Sequence, residues 1–176
     1  QGEYYQLEQF PVEPAALQDI PIIIGGGGKV KTPTLAGKYS EEFNIYAGPK
    51  EILAKSISLF REVAADNGRD LKKLEITTAC PPVVGLTKEG VGSALTAAAK
   101  ALAQTEDEIA STWREKNYLF GTPDEVASTL SMWQEVGIEA VYLQLLSLKE
   151  AQRNETIDVI NSCLLYTSPS PRDGHQ

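Results

Sequence analysis

The chain has 176 residues, and 42% of them are hydrophobic, which is enough apolar sequence for the packed core of one ordinary domain. Its formal net charge of −8 at pH 7 argues against binding to a nucleic-acid backbone, which requires clustered Lys and Arg. The longest apolar run, Ile20–Ile24, is too short to cross a bilayer, so a membrane role is not expected.

The first half of the chain alternates predicted strands and helices. Ile20–Ile24 is a β-branched run that predicts a buried strand, ended by Gly25–Gly28. Thr32-Pro33 predicts a helix N-cap followed by proline at the first helical position. Glu42–Tyr46 predicts a second strand. A second helix then begins at Gly48-Pro49 and ends near Asn67, where the next residue is glycine.

The alternation continues in the second half. Leu74–Val84 predicts a third strand, and it is followed by an Ala-rich helix from Lys88 to Ala103 and a helical piece from Glu106 to Trp113. The segment Thr122-Pro123-Asp124-Glu125 has the pattern of a helix start with a capping box. Ile138–Leu146 is a near-continuous apolar run that predicts a fourth strand.

Four strand–helix units imply parallel strands joined by right-handed crossovers, hence an α/β fold. Such a set is either half of a (β/α)8 barrel or a small doubly wound sheet, and periodicity alone does not separate the two.

The four consecutive glycines carry the strongest chemical signal. A strand that ends in glycines before a helix start lets backbone N–H groups approach an anion closely. Lys29 and Lys31 add positive charge there, and Thr32 offers a hydroxyl. We therefore predict a phosphate site formed by Gly25, Gly26, Gly27, Gly28, Lys29 and Thr32. The alternative is a tight turn without a ligand, since neither a Walker A motif nor a convincing G-x-G-x-x-G motif is present.

An ordered set of segments resembles the luciferase-like monooxygenase superfamily, most closely its F420-dependent oxidoreductase branch. The segments are Gly2-Glu3-Tyr4-Tyr5, Pro21 to Gly28, Leu35-Ala36, Tyr39 to Asn44, Phe120 to Val126 and Gly137 to Tyr142. Together they span essentially all of residues 1–150. Ser40 and Glu41 depart from the family's commoner Ala-Asp pair, and residues 29–32 depart from its usual loop.

The resemblance implies a partial TIM-like (β/α)8 barrel, about four C-terminal βα units, with coenzyme F420 or FMN at the C-terminal ends of the strands. The glycine loop would lie against the cofactor phosphate. The implied activity is hydride transfer between the cofactor and a small organic substrate. An FMN enzyme would also need a flavin reductase, and the complete protein could form a homodimer. Catalytic residues are not assigned, because the family's residues near the flavin ring precede this segment, so the fragment itself is expected to be inactive.

Two other functions stay open. One is a non-catalytic flavin-binding homologue. The other is a phosphate-binding α/β protein that uses the same glycine loop. A small doubly wound protein of that kind would have a complete open sheet, whereas half a barrel would leave both edge strands unpaired.

The sequence pattern changes at Cys163. Residues 163–173, CLLYTSPSPRD, lack helical or strand periodicity and resemble the translation of a sequencing adapter, as found at the ends of metagenomic gene predictions. We expect residues 1–162 to be the barrel domain and residues 163–176 a non-native tail; a natural flexible Pro/Ser tail is the alternative. The single histidine, His175, lies in this tail, so no metal site or His-dependent catalysis is predicted for residues 1–162.

Other chemically notable side chains are expected to have structural rather than catalytic roles. Cys80 and Cys163 lie outside any C-x-x-C spacing, which fits a reducing cytoplasm, and Cys80 is predicted to be an inert buried thiol. Trp113 and Trp133 are assigned to packing. Glu41 and Glu42 are interpreted as the solvated end of a helix rather than as paired catalytic carboxylates.

Overall fold

The computed structural model describes residues 3–4, 17–145 and 148–167, except for the side chains of residues 164–167. Strands and helices alternate along it, with one 3-10 turn at Leu71–Lys73. The strands are β1 (Ile23–Gly26), β2 (Glu42–Tyr46), β3 (Glu75–Cys80), β4 (Val83–Val84), β5 (Phe120–Gly121) and β6 (Ala140–Leu143). The helices are α1 (Lys31–Tyr39), α2 (Lys50–Asp66), α3 (Lys88–Leu102), α4 (Glu106–Glu115), α5 (Pro123–Val136) and α6 (Glu150–Thr167).

The main sheet has four parallel strands in the order β1-β2-β3-β6. The order follows the chain without reversal, and α1, α2, α5 and α6 contact one another in succession, which places them on one face. A doubly wound sheet would instead reverse its order and carry helices on both faces. Among the described residues β1 and β6 each lack a second neighbour, as half of a barrel requires.

Residues alternate between the two faces of the sheet. The outer face packs against the helices: Phe43 and Ile76 are at most 1% exposed, and the Phe43 ring lies 5.2 Å from the ring of Phe60 in α2. Val126 and Trp133 of α5 are buried in the same core, as predicted. Burial of such large side chains stabilises the fold by about 1.5–3 kcal/mol each.

The opposite face, here called the inner face, carries Ile23 and Gly25 of β1, Glu42, Asn44 and Tyr46 of β2, Glu75, Thr77 and Ala79 of β3, and Ala140 and Tyr142 of β6. Its large side chains are open to solvent: Ile23 is 56% exposed and Tyr46 is 64% exposed. The expectation that the first strand is fully buried was therefore wrong, because no element in the described part of the chain covers this face.

A smaller lobe follows β3. Short strands β4 and β5 pair with each other in parallel, and α3 and α4 pack on them around Val83, Ala99, Ile109 and Trp113. The predicted single strand Leu74–Val84 is therefore two strands in two sheets. Pro81 and Pro82 separate them, because proline has no N–H to donate to a ladder.

Other boundaries also differ from the predictions. Strand β1 is shifted towards the glycines, since Gly25 and Gly26 pair with Asn44 and Ile45. Helix α6 was not predicted, and it continues through Thr167, beyond the boundary expected at Cys163. Cys163 itself is 2% exposed, and its thiol lies 3.2 Å from the carbonyl oxygen of Pro123.

Helix α1 is held closely at its C-terminal half. A Cβ on Gly37 would lie 2.7 Å from the carbonyl oxygen of Phe60, so only glycine permits this contact with α2. Arg69 donates to the carbonyl oxygen of Ser40 at the end of α1 and pairs with Glu41 at 2.9 Å. These contacts fix α1 against the first two strands.

No helix in the described parts of the chain combines the length and the apolar character needed to cross a bilayer.

Candidate functional site

The glycine loop lies at the C-terminal edge of the sheet, between β1 and α1. Gly26 has a φ of +146°, a conformation that residues with a side chain rarely adopt. A Cβ on Gly27 would lie 3.0 Å from the ring of Tyr46, and one on Gly28 would lie 2.5 Å from Thr32 Oγ1. The loop is thus a close-packed backbone cradle, in which a side chain on Gly27 would crowd Tyr46 and one on Gly28 would overlap Thr32.

The start of α1 leaves its backbone donors open. The N-cap is Val30, whose side chain cannot accept a hydrogen bond, and the first turn contains no acidic residue. The prediction that Thr32 is the N-cap was wrong, because the helix begins at Lys31, one residue before it. Thr32 lies in the first turn, with its hydroxyl beside Gly28. Open N–H groups and the positive end of the helix dipole favour an anion here.

The lysines of the loop are available to a ligand. Lys29 and Lys31 are exposed, and neither forms one of the salt bridges found among the described residues. The geometry therefore brings all six predicted site residues, Gly25 to Gly28, Lys29 and Thr32, to one edge of the sheet. Whether a phosphate binds there stays a prediction.

A second polar group lies on the inner face beside the loop. Glu42 is 8% exposed and accepts hydrogen bonds from Thr77 Oγ1 at 2.5 Å and from the Tyr142 hydroxyl at 3.1 Å. The hydrogen bond to Glu42 raises the pKa of Tyr142 above its usual value, because it holds the phenolic proton. Asn44 donates to Thr77 Oγ1 at 2.7 Å.

The interpretation of Glu41 and Glu42 as a solvated helix end was therefore wrong. Glu42 is a buried strand residue, and Glu41 binds Arg69 and the backbone N–H of Ile22, at 2.9 and 2.8 Å. The sequence signal that was missed is the two-residue repeat of a strand, which puts the side chains of Glu42 and Asn44 on the same face of β2. The parallel register then brings Thr77 of β3 next to both of them.

A cavity of about 800 Å³ opens at the other end of the same edge, between the small lobe and the ends of β3 and β6. Its walls are mainly apolar and include Ala98, Trp113, Tyr118, Leu143 and Leu145. Trp113 donates its ring N–H to the carbonyl oxygen of Pro81 at 2.8 Å, and Tyr118 packs edge-on against it. Burial raises the pKa of Tyr118, which keeps its hydroxyl neutral. A clefted, mostly apolar site of this size suits an organic ligand.

Cys80 carries no chemistry in this site. It is fully buried on the outer face, and burial raises the pKa of its thiol to about 11. The prediction of an inert thiol is confirmed. Within the parts of the chain that the structure describes, no group of His, Cys, Asp and Glu could hold a metal ion.

Comparison with known proteins identifies the family. The sequence profile of the luciferase-like monooxygenases matches residues 1–140. The chain belongs to the luciferase-like monooxygenase family. The predicted α/β fold with a partial (β/α)8 barrel is thereby confirmed, as is the resemblance on which it depended. No curated protein sequence matches this luciferase-like chain significantly.

Solved structures of the family share the fold. An F420-dependent secondary alcohol dehydrogenase superposes with a TM-score of 0.60 at 21% identity, covering 81% of this chain and 48% of the other. EDTA monooxygenase from Chelativorans sp. BNC1 superposes with a TM-score of 0.59 at 17% identity, covering 92% of this chain and 49% of the other. DmoA from Hyphomicrobium sulfonivorans superposes with a TM-score of 0.62 at 17% identity, covering 92% of this chain and 45% of the other. This luciferase-like chain thus spans about half the length of the structures that it matches.

Proposed function

We propose that residues 1–162 are the C-terminal half of a flavin- or deazaflavin-dependent oxidoreductase. The complete enzyme transfers hydride between coenzyme F420, or FMN, and a small organic substrate. The cofactor phosphate binds to Gly25, Gly26, Gly27 and Gly28, with Lys29 and Thr32. One observation carries the proposal: the uncapped start of α1 meets a glycine cradle at the C-terminal edge of a luciferase-like sheet.

The residues of the loop fit a phosphate. The glycines let the loop backbone lie close to Tyr46 and Thr32, the start of α1 has no side-chain cap, and the Thr32 hydroxyl lies beside Gly28. Lys29 adds charge neutralisation from the exposed side. The ring of the bound cofactor supplies the hydride chemistry, and this chain binds and orients it.

The apolar cavity between the small lobe and the sheet supports a place for the organic substrate. It opens at the same edge as the glycine loop, three strands away, or about 14 Å at a strand spacing of about 4.8 Å. Its wall offers aromatic surface from Trp113 and Tyr118 and few charged groups, which favours an uncharged, apolar substrate.

Several finer points belong to the same proposal. F420 is supported by structural neighbours that include the alcohol dehydrogenase and an F420-dependent tetrahydromethanopterin reductase from Methanopyrus kandleri. FMN is supported by a riboflavin lyase whose structure contains modified FMN. An FMN enzyme would take reduced flavin from a reductase partner. We place the complete protein in the cytoplasm, as a homodimer, and residues 163–176 outside its native sequence.

The decisive experiment uses the protein with its upstream half restored from overlapping reads. Reduction of F420 by a panel of alcohols, and binding of FMN, are measured for the wild type and for Gly28→Ala, with Gly48→Ala as the matched control. Gly48 lies after β2 at the same edge, and a Cβ there meets no atom within 4 Å. We expect Gly28→Ala alone to weaken cofactor binding. A restored protein that binds neither cofactor would disprove the proposal, and binding without turnover would favour the non-catalytic homologue.

A further inference from the structure

Three side chains of the inner face form one directed chain of hydrogen bonds. Asn44 donates its amide N–H to Thr77 Oγ1, and Thr77 donates its hydroxyl to the Glu42 carboxylate. Thr77 is 0% exposed and Glu42 is 8% exposed, so both polar groups depend on these contacts rather than on water.

The number of protons fixes the direction of this chain. A hydroxyl has a single proton to donate, and Thr77 donates it to the Glu42 carboxyl group. The oxygen of Thr77 can then only accept from Asn44, which therefore turns its amide nitrogen towards β3. The amide oxygen, Oδ1, is left facing the other way, towards β1.

That oxygen lies beside the glycine loop. Gly25 is the register partner of Asn44, and a Cβ on Gly25 would lie 3.7 Å from Asn44 Oδ1. Within the described residues no donor is hydrogen-bonded to this oxygen. The space next to it is kept open by the missing side chain of Gly25, one residue before the positive φ of Gly26.

We propose that Asn44 Oδ1 is a hydrogen-bond acceptor for a hydroxyl group on the linker between the cofactor ring and its phosphate. Glu42 and Thr77 act as positioning residues that hold the amide in the accepting orientation. The inference depends on the proposed cofactor site and goes beyond it, because it assigns a second contact at a different part of the ligand, on a different strand.

The ligand class follows from the acceptor. A neutral acceptor beside a phosphate cradle suits a polyol phosphate, since each hydroxyl can donate one proton while the phosphate remains with the loop. A ligand whose linker offers only acceptor atoms would face an unpaired Asn44 oxygen and bind less well.

The inference is tested on the protein with its upstream half restored, by titration with FMN, with riboflavin, which lacks the phosphate, and with inorganic phosphate. Asn44→Ala removes the acceptor, and Thr77→Val removes the group that orients it. Thr78→Val is the matched control: Thr78 is the next residue, equally buried, and its hydroxyl donates to Ile45 O at 2.8 Å on the outer face.

We expect Asn44→Ala and Thr77→Val each to weaken FMN and riboflavin binding about three- to tenfold, the effect of one hydrogen bond, with phosphate affinity unchanged. The double variant should bind no worse than either single one, because Thr77 acts only through Asn44. Thr78→Val should leave the three affinities unchanged.

Other results of these titrations would contradict the proposed role of Asn44. Unchanged riboflavin affinity in Asn44→Ala, or additive losses in the double variant, would disprove the role of the amide while leaving the phosphate site intact. A restored wild-type protein that binds neither FMN nor phosphate would disprove the inference together with the proposed cofactor site.

Discussion

Two helices of this protein have a Thr-Pro dipeptide at or near their start, but their starts differ in how they are capped. Helix α5 starts at Thr122-Pro123, where the Glu125 carboxylate accepts from both the backbone N–H and the hydroxyl of Thr122, at 2.8 and 3.1 Å. Helix α1 contains Thr32-Pro33, yet Val30 is its N-cap and its first turn has no side-chain cap. The N-cap residue of α5 thus has its N–H and its hydroxyl paired with a carboxylate, whereas the start of α1 has no acidic residue and no side-chain cap.

The difference arises three residues further on. Glu125 stands at the third position after the N-cap Thr122, where it completes a capping box, whereas Pro33 stands at the third position after the N-cap Val30. The residues before the threonine differ as well, since four glycines precede α1. A Thr-Pro pair therefore predicts that a helix starts nearby, and its neighbours decide whether that start is closed or open to an anion.

The largest effect is expected from filling the open start. Gly28→Ala would place a Cβ against Thr32 and occupy the cradle, so phosphate affinity should fall about tenfold, or about 1.4 kcal/mol. Titration of inorganic phosphate, followed by the amide signals of residues 25–32, measures this. Gly48→Ala should leave the affinity unchanged; equal losses in both variants would contradict a specific cradle.

The next largest effect is expected from removing the carboxylate that caps the start of α5. Glu125→Ala removes the acceptor that caps α5 and should lower the free energy of unfolding by about 1 kcal/mol, with no change in phosphate affinity. Urea denaturation monitored by tryptophan fluorescence gives the stability. Thr32→Ala is the counterpart in α1 and should weaken phosphate binding with less than about 0.5 kcal/mol of destabilisation. The reverse pattern would refute the comparison.

A smaller effect is expected from a negative charge placed just after the first turn of α1. Leu35 is 49% exposed, so Leu35→Glu can be accommodated and brings a carboxylate to the first turns of α1. It should compete with an anion and lower phosphate affinity about threefold, since charges near a helix start contribute about 0.3–1 kcal/mol. Leu35→Gln has the same shape without the charge and should change little. A stronger phosphate affinity in Leu35→Glu would be inconsistent with an open anion site.

The smallest effect is expected from the flexible charge beside the loop. Lys29→Met should weaken phosphate binding about twofold at low salt and less in high salt, because exposed charges are screened. Lys38→Met, in the last turn of the same helix, is the control. An effect of Lys29→Met that does not depend on salt would indicate a direct structural role instead.

Much of the fold could be predicted from local patterns. The four main strands and the helix starting at Thr122 follow from β-branched runs and capping residues, which act over a few neighbours. The division of residues 74–84 into two strands could not be read from the β-branched run, because it depends on which partner each strand finds: Val83 pairs with Phe120. Helix α6 was missed because its sequence has little apolar periodicity of its own.

The candidate site was predictable only in part. The consecutive glycines mark the loop by their composition, whereas Glu42 and Thr77 are separated by 35 positions and become partners only through the register of two parallel strands. Adjacent acidic residues suggest a solvated surface unless a strand turns one of them inwards. Burial of Glu42 is therefore a tertiary property, and it decides the orientation of Asn44.

The contact between Gly37 and α2 also affects the geometry of the glycine loop. Gly37 lies six residues, about 9 Å, along the axis from the start of α1, and it fixes the height of that helix against α2. A methyl group at position 37 would overlap the backbone of α2, so α1 would have to move relative to α2. Gly37 therefore helps to set the position of the glycine loop, although it lies outside the loop itself.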